Sequence, residues 1–267
     1  MSIRSRLIQA CLATVMVTAA GPSYGVQFPN TSDRGAPARG PSLGTRGEIC
    51  LDPQQQPSLT SLLPHNAIAT AFGADADVPL SLWFYIPETG AAGAELLIIN
   101  ERGDEIHQEP VPLPENPGII QVMLPQYQAD GVTPMFTSGS LYYWDFALIC
   151  DANDRADDVL IGGGIQRIDA APAFLRQLEA VGDNPLAQAE LYAAQGAWQE
   201  TLALVAKVRN EHPDAWAELL ASVDLGAIAQ QPVVGANDNI TSTPTSPAST
   251  SPSALQRLLE GIDDGAE

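Results

Sequence analysis

The chain has 267 residues, 45% of them hydrophobic, and its 12 basic and 32 acidic residues give a net charge of −20. The hydrophobic fraction is that of a globular protein, which excludes wholesale disorder. Because the charge repels phosphate backbones and anionic headgroups, we expect neither nucleic acid nor membrane surfaces as partners. Such a surface can attract Ca²⁺ or cationic polymers, but solubility is the simpler explanation of its acidity.

The first 25 residues have the pattern of a secretory signal peptide. Arg4 and Arg6 precede an almost uncharged apolar run that ends in small residues near Ala20, which is typical of such signals. The run is too short for a membrane-spanning helix, which needs about 20 apolar residues. We therefore expect an exported protein, periplasmic or extracellular, cleaved after Ala20 or Gly25, with a mature net charge of −22. A buried N-terminal helix is the alternative.

Three cysteines are present, and Cys11 lies in the apolar run, so we expect it to be lost with the signal. Cys50 and Cys150 remain. An even pair in an exported protein indicates a disulfide, with two buried thiols as the alternative. Closing a loop of about 100 residues stabilises a fold by up to about 4–5 kcal/mol in the chain-entropy model.

Three segments outside the expected core have biased compositions. Residues 26–47 are rich in Pro, Gly, Ser and Arg, which predicts a flexible leader. Residues 230–253 are rich in Pro, Ser and Thr, which predicts an extended linker. Residues 254–267 carry apolar side chains at helical spacing among acidic ones, which predicts a short amphipathic helix.

The pattern between residues 48 and 170 is that of β-strands. Six runs of large, branched or aromatic residues alternate with turn residues, at 80–86, 94–100, 105–113, 118–124, 141–150 and 159–168. Short strands at this spacing predict an antiparallel sandwich or barrel. Prolines 110, 112 and 114 place the third run at a sheet edge or end it early.

From residue 171 to 229 the periodicity becomes helical. We predict four helices, beginning at residues 172, 185, 198 and 213, and Asn184 with Pro185 is a suitable cap for the second. The fold class is therefore α+β, with an antiparallel sandwich-like domain followed by a small helical region.

A pattern in the middle helices resembles one tetratricopeptide-type hairpin. Its residues are Tyr192, Gly196, Trp198 and Pro213, and an ordinary two-helix hairpin is the alternative. Because one such unit cannot bury its own face, we expect it to pack on the strands.

The acid-rich stretch at residues 151–158 fails the test for an EF-hand-type calcium loop. Arg155 and Ala156 occupy the fifth and sixth places, where the loop needs an oxygen ligand and a glycine, and Gly162 stands where the final glutamate belongs. We interpret the stretch as a polar turn between strands, with irregular calcium binding as the alternative.

Other chemical signatures are absent from the sequence. Glycines 162–164 lack the lysine of a phosphate loop, so a bulge or close backbone packing explains them better. His65, His107 and His212 stand in separate segments, which argues against zinc. We predict no catalytic, cofactor-binding or metal-binding residue and no cofactor. A hydrolase that uses a pair of carboxylates remains an alternative, because the chain has many acidic residues.

Several segments, taken in order, resemble an exported cyanobacterial family known as domain of unknown function 928. They are Leu59–Pro64, Leu82–Pro87, Pro117–Ile119 with Leu124–Pro125, Tyr143–Trp144 with Cys150–Asp151, and Asp158–Ile168. The resemblance covers roughly residues 48–228. It implies a pair between the N-terminal cysteine and Cys150, and a β-domain followed by helices. It implies no activity. One departure is Gly164, at the place of an expected tryptophan, which would leave a hole in an aromatic cluster or expose backbone.

The export signal, the β-domain class and the lack of a nucleophile–base pair favour a non-enzymatic binding or envelope-interaction module. Its partner would be an envelope protein or a glycan. The alternative is a carboxylate-dependent hydrolase acting on polysaccharide or peptide in the cell envelope.

Overall fold

The computed structural model describes residues 25–29, 50–64, 68–72 and 80–234. The predicted signal peptide up to residue 24, most of the leader, most of the linker and the acidic C-terminal helix lie outside this part of the chain. The strands within it are β1 (Thr60–Ser61), β2 (Ile68–Phe72), β3 (Ser81–Ile86), β4 (Gly93–Asn100), β5 (Glu105–Val111), β6 (Gly118–Met123), β7 (Leu141–Ile149) and β8 (Val159–Ile168). The helices are α1 (Pro172–Val181), α2 (Pro185–Ala194), α3 (Trp198–Lys207) and α4 (Pro213–Ala221).

The strands form two sheets. One has the order β1-β3-β6 and the other has the order β2-β8-β7-β4-β5. The pairs are antiparallel except that β2 runs parallel to β8. The α+β class is confirmed, and the described strands do not close into a barrel. All six predicted strands are present, and β1 and β2 are additional.

The two sheets and the helices form three layers, and β3 lies in the middle one. Its side chains alternate, as in any strand. Leu82 and Phe84 belong to the apolar core shared with the five-stranded sheet, whereas Trp83 and Tyr85 belong to the core shared with the helices. Every residue of β3 is therefore buried, which explains why Leu82–Ile86 is a continuous apolar run.

The first core is built around an aromatic cluster on the inner face of the five-stranded sheet. Phe84 stacks on Phe146 with ring centroids 4.3 Å apart and meets Trp144 edge-on at 5.4 Å. A Cβ added to Gly163 would lie 2.6 Å from the Trp144 ring, so the glycine leaves room for the indole. The close-packing explanation of this glycine is thus confirmed. Gly164 is buried, so the missing tryptophan does not expose backbone there.

Helices α2 and α3 form the predicted hairpin and pack on the three-stranded sheet. Gly196 makes the turn with a φ of 75°, a left-handed conformation that glycine adopts at little cost. Trp198 is 1% exposed, and its indole Nε1 donates to the Leu62 carbonyl at 2.7 Å. The three-stranded sheet thus covers the apolar face that a single hairpin cannot bury by itself.

The first residues of the expected flexible leader are packed rather than free. Val26 and Phe28 are buried among the helices, and the Phe28 ring meets Trp198 edge-on at 4.9 Å. The Phe28 amide also donates to Ser222 Oγ at 3.0 Å. The composition around Phe28 concealed this contact, because Val26 and Phe28 stand among small and polar residues.

The start of the expected linker is also ordered. Val233 forms a parallel bridge with Ile119 of β6. The Ile119 amide donates to the Pro232 carbonyl at 2.7 Å, and the Val234 amide donates to the Ile119 carbonyl at 2.8 Å. Residues 232–234 therefore cover part of the β6 edge, and such cover limits strand-to-strand association.

The other sheet ends in β5, as its prolines predicted. Pro110 lies on this edge strand, and the register directs His107 and Glu109 to the same face as the core residues of β4. The His107 Nε2 lies 3.5 Å from Glu109 Oε2. Proline and inward-facing charged residues are both devices that protect sheet edges from pairing with other chains.

Candidate functional site

A cleft of about 280 Å³ opens between the helical hairpin and the beginning of β3. This volume is just below the range of about 300–1,000 Å³ that is usual for ligand pockets. Most of the exposed lining is apolar, and a few polar groups converge on it. The lining residues are Leu80, Ser81, Gln188, Tyr192, Gln199, Glu200, Ala203, Leu204 and Lys207.

The wall of the cleft depends on how α3 is anchored. Trp198 is the first residue of α3, and its bond to Leu62 fixes this turn against the three-stranded sheet. Gln199 is the next residue, and it is 4% exposed. With Leu202 and Ala206 it follows the i, i+3, i+7 spacing of one helix face, and all three are buried. A glutamine therefore occupies a position where an apolar residue is expected.

The carboxamide of Gln199 has no hydrogen-bond partner within the described part of the chain. Both Oε1 and Nε2 are buried, and neither makes a hydrogen bond. A buried amide without partners costs about 1–3 kcal/mol in proteins. Because both atoms have almost no accessible surface, a molecule in the cleft reaches this acceptor and this donor only after neighbouring side chains move.

Ser81 contributes a second buried polar group to the cleft. It is 6% exposed. Its Oγ accepts from Trp83 Nε1 at 3.2 Å and from Gln121 Nε2 at 3.0 Å. Because both bonds use the oxygen as acceptor, the hydroxyl proton is directed elsewhere. These contacts hold Ser81 in a fixed position at the sheet side of the cleft.

Tyr192, Glu200 and Lys207 bring ionisable groups to the cleft. Burial, and secondarily the charge of Glu200, raise the pKa of the Tyr192 phenol above 10.0, so at neutral pH it is uncharged. Its ring packs edge-on against Phe174 at 5.2 Å. Glu200 and Lys207 supply one negative and one positive charge, so the lining is close to neutral within a strongly acidic protein.

Cys50 and Cys150 form a disulfide, with their Cα atoms 5.3 Å apart. The bond ties the segment before β1 to the residue after β7. Thr89 Oγ1 and the Gly90 amide both donate to the Cys50 carbonyl at 2.9 Å. The predicted pair is thereby confirmed, and it belongs to the scaffold because neither cysteine lines the cleft.

The acidic stretch 151–158 is a turn organised by arginine. It contains a single 3₁₀ turn, Arg155–Asp157, and Asp154 caps it through the Ala156 amide at 3.0 Å. Arg155 bonds the buried carboxylate of Asp158 and also reaches Glu95 at 3.1 Å. Within the described residues, no group of three or more His, Cys, Asp or Glu side chains is placed to hold a metal ion.

The remaining motif residues are dispersed. His107 lies on β5 and His212 precedes α4, while His65 is outside the described residues. Glycines 162–164 lie inside β8 rather than at a helix N-terminus. Among the described residues around the cleft, Glu200 is the one carboxylate. Neither of the two described histidines nor any of these glycines lines the cleft.

The family profile of domain of unknown function 928 matches residues 41–233, more than half of the chain. The chain belongs to this family. The DUF928 match spans both the strands and the helices that form the cleft. No curated protein matches the chain significantly. Among the described helices of this DUF928 protein, none combines the length and apolar character needed to cross a membrane.

The cleft residues were not identified from the DUF928 protein's sequence. Leu80 and Ser81 precede Gln199 by more than a hundred positions, so no local pattern connects them. One signal was available, namely the polar Gln199 on the buried face of a helix. Buried polar side chains without partners are rare in native proteins and require an explanation.

Proposed function

We propose that this DUF928 protein is a non-enzymatic binding module that acts outside the cytoplasm and captures an envelope protein or glycan in the cleft. The observation that carries the proposal is the buried, unpartnered amide of Gln199 in the cleft wall. Removing this group from water costs free energy in the unliganded protein. A ligand that bonds both amide atoms, once neighbouring side chains have moved to admit it, recovers that cost.

The extracytoplasmic location is supported by two features. The first is the signal-peptide pattern with Arg4, Arg6 and the apolar run that follows them. The second is the Cys50–Cys150 disulfide, because such bonds persist mainly in oxidising compartments.

The carboxylate-dependent hydrolase receives less support. Glycoside hydrolysis by two acids needs carboxyl groups about 5–10 Å apart across the reacting bond. The described lining of the cleft supplies one carboxylate, that of Glu200. The other charged residue in this lining is Lys207 rather than a second acid. A binding role needs no such pair.

Affinity capture with three forms of the mature protein tests the proposal. Wild type, Gln199→Leu and Gln195→Leu are immobilised and exposed to an envelope extract from the source cells, and retained components are purified and rebound individually. Gln195 is the matched control because it is exposed and lies outside the cleft lining.

We expect wild type and Gln195→Leu to retain a component that Gln199→Leu loses, and the purified component to rebind with the same pattern. Equal retention by all three forms, or no specific retention, contradicts the proposal. Turnover of a polysaccharide or peptide by the wild type would contradict its non-enzymatic part.

A further inference from the structure

We infer that the cleft recognises the main chain of a polypeptide, with one peptide group of the ligand paired to the Gln199 side chain. This inference rests on the proposed binding function and names the ligand class. Its starting point is the pair of unsatisfied atoms, Oε1 and Nε2, on a side chain that is 4% exposed.

The hydrogen-bonding capacity of Gln199 matches that of a peptide group. A glutamine carboxamide offers a carbonyl acceptor and an NH₂ donor, and each non-proline residue of a peptide offers one N–H donor and one C=O acceptor. Two bonds between them satisfy the buried amide once neighbouring side chains move to admit the peptide. The match is independent of the ligand's side chains, so it selects main chain rather than a particular residue.

The remaining lining sets the size and polarity of the bound segment. Leu80, Ala203 and Leu204 supply apolar contact within a cleft of about 280 Å³. That space is small for a ligand pocket, so only a short piece of chain with a small apolar side chain enters. The rest of the polypeptide remains outside the cleft.

A saccharide fits this lining less well. A sugar ring presents several hydroxyl groups, whereas the deep wall offers one vacant amide, and Ser81 Oγ already accepts two hydrogen bonds. The Tyr192 ring, the one aromatic side chain among the described lining residues, is packed against Phe174. The charges of Glu200 and Lys207 oppose each other, which favours an uncharged peptide segment over an ionic ligand.

The experiment begins with a phage-displayed library of random seven-residue peptides selected on the folded mature wild-type protein. The best peptide is then synthesised together with a set of analogues, each N-methylated at one position. Methylation removes a single main-chain donor and leaves the side chains in place. Affinities are measured for wild type, Gln199→Leu and Gln195→Leu, and ¹⁵N spectra follow the Gln199 side-chain NH₂ signals.

We expect methylation at one position to weaken binding to the wild type at least tenfold. Gln199→Leu should lose affinity to a similar degree, Gln195→Leu should keep it, and the peptide should shift the Gln199 NH₂ signals. The methylation series uses the wild-type protein alone, so it stays decisive even if Gln199→Leu fails to fold.

Three results overturn the inference. They are a library that yields no Gln199-dependent peptide, a methylation series without effect at any position, and a neutral oligosaccharide such as chitotriose or cellotetraose that shifts the Gln199 signals while peptides do not. The last result leaves the proposed binding function standing. Failure of the proposed binding function gives a different result, which the affinity capture shows. In that case no envelope component binds in a Gln199-dependent way.

Discussion

The indole Nε1 of Trp198 donates to the carbonyl oxygen of Leu62 at 2.7 Å, and this bond joins the first residue of α3 to the chain just after β1. It is buried, and its two residues are 136 positions apart. Because Gln199 follows Trp198 directly, the bond also positions the backbone that carries the Gln199 side chain in the cleft wall. Scaffold and candidate site thus depend on the same turn of helix.

The N-terminal segment should contribute to stability through Phe28. This side chain is 5% exposed and packs on Trp198, so Phe28→Ala should lower the free energy of unfolding by about 3 kcal/mol. Urea unfolding measures the change. Leu175→Ala is the control, since Leu175 is 42% exposed on α1 and its truncation should cost no more than about 0.5 kcal/mol. Equal, small effects of both changes would show that the segment does not stabilise the fold.

Gly163 should tolerate no side chain. Gly163→Ala places a methyl group against the Trp144 ring, and overpacking of this kind costs about 1–3 kcal/mol. Gly93→Ala is the matched control, because it is also a strand glycine and an added Cβ meets nothing within 4 Å. Differential scanning calorimetry should show a lower Tm for Gly163→Ala and an unchanged Tm for Gly93→Ala. A Gly163→Ala protein as stable as wild type would contradict the packing described here.

Loss of the disulfide should weaken the fold without removing the cleft. The double variant Cys50→Ala/Cys150→Ala should lose about 2–5 kcal/mol of unfolding free energy. In the mature wild type, reductant should lower the unfolding midpoint and add the mass of two hydrogens. Reductant should leave the double variant unchanged, which serves as the control. An unreduced wild type with the mass of two free thiols would disprove the bond.

Asp130 should titrate at an unusually acidic pH. The hydroxyl of Thr133, followed by the amides of Val132 and Thr133, donates to its carboxylate and lowers its pKa from 3.8. A depressed pKa in the folded state means that the contribution to stability is present above pH 3.8 and is lost as the pH falls through the folded pKa. Thr133→Val removes the largest cause, so the pKa should rise towards 3.8.

Carboxyl ¹³C NMR titration measures the pKa of Asp130 in both proteins. Thr137→Val is the control, since Thr137 is not among the groups that bond Asp130. An Asp130 pKa unaffected by Thr133→Val would show that the hydroxyl bond is absent in solution.

Much of the fold could be predicted because its signals are local. The strand that became β5 carried Pro110, and its edge position follows from the missing amide donor. The helix starts were marked by prolines at the first helical position of α1, α2 and α4. Each of these features is determined within a few residues of the chain.

The features that were missed depend on distant partners. The β2 sequence, Ile-Ala-Thr-Ala-Phe, is only five residues long, and two of them are alanine, which is depleted in strands. Its partner strand is β8, far along the chain. Phe28 is buried by helices almost two hundred residues later. The cleft likewise needs β3 and α3 together, so sequence periodicity alone could not reveal it.

The most direct test of the central claim is the unfolding free energy of Gln199→Leu without ligand, measured by urea denaturation. If the buried amide is vacant and retained for binding, leucine should raise stability by about 1–2 kcal/mol, because it removes an unsatisfied polar group and keeps the volume. Gln195→Leu should change it by no more than about 0.5 kcal/mol. A Gln199→Leu protein that is less stable than wild type would contradict the account, since the amide would then already have its partners within the protein.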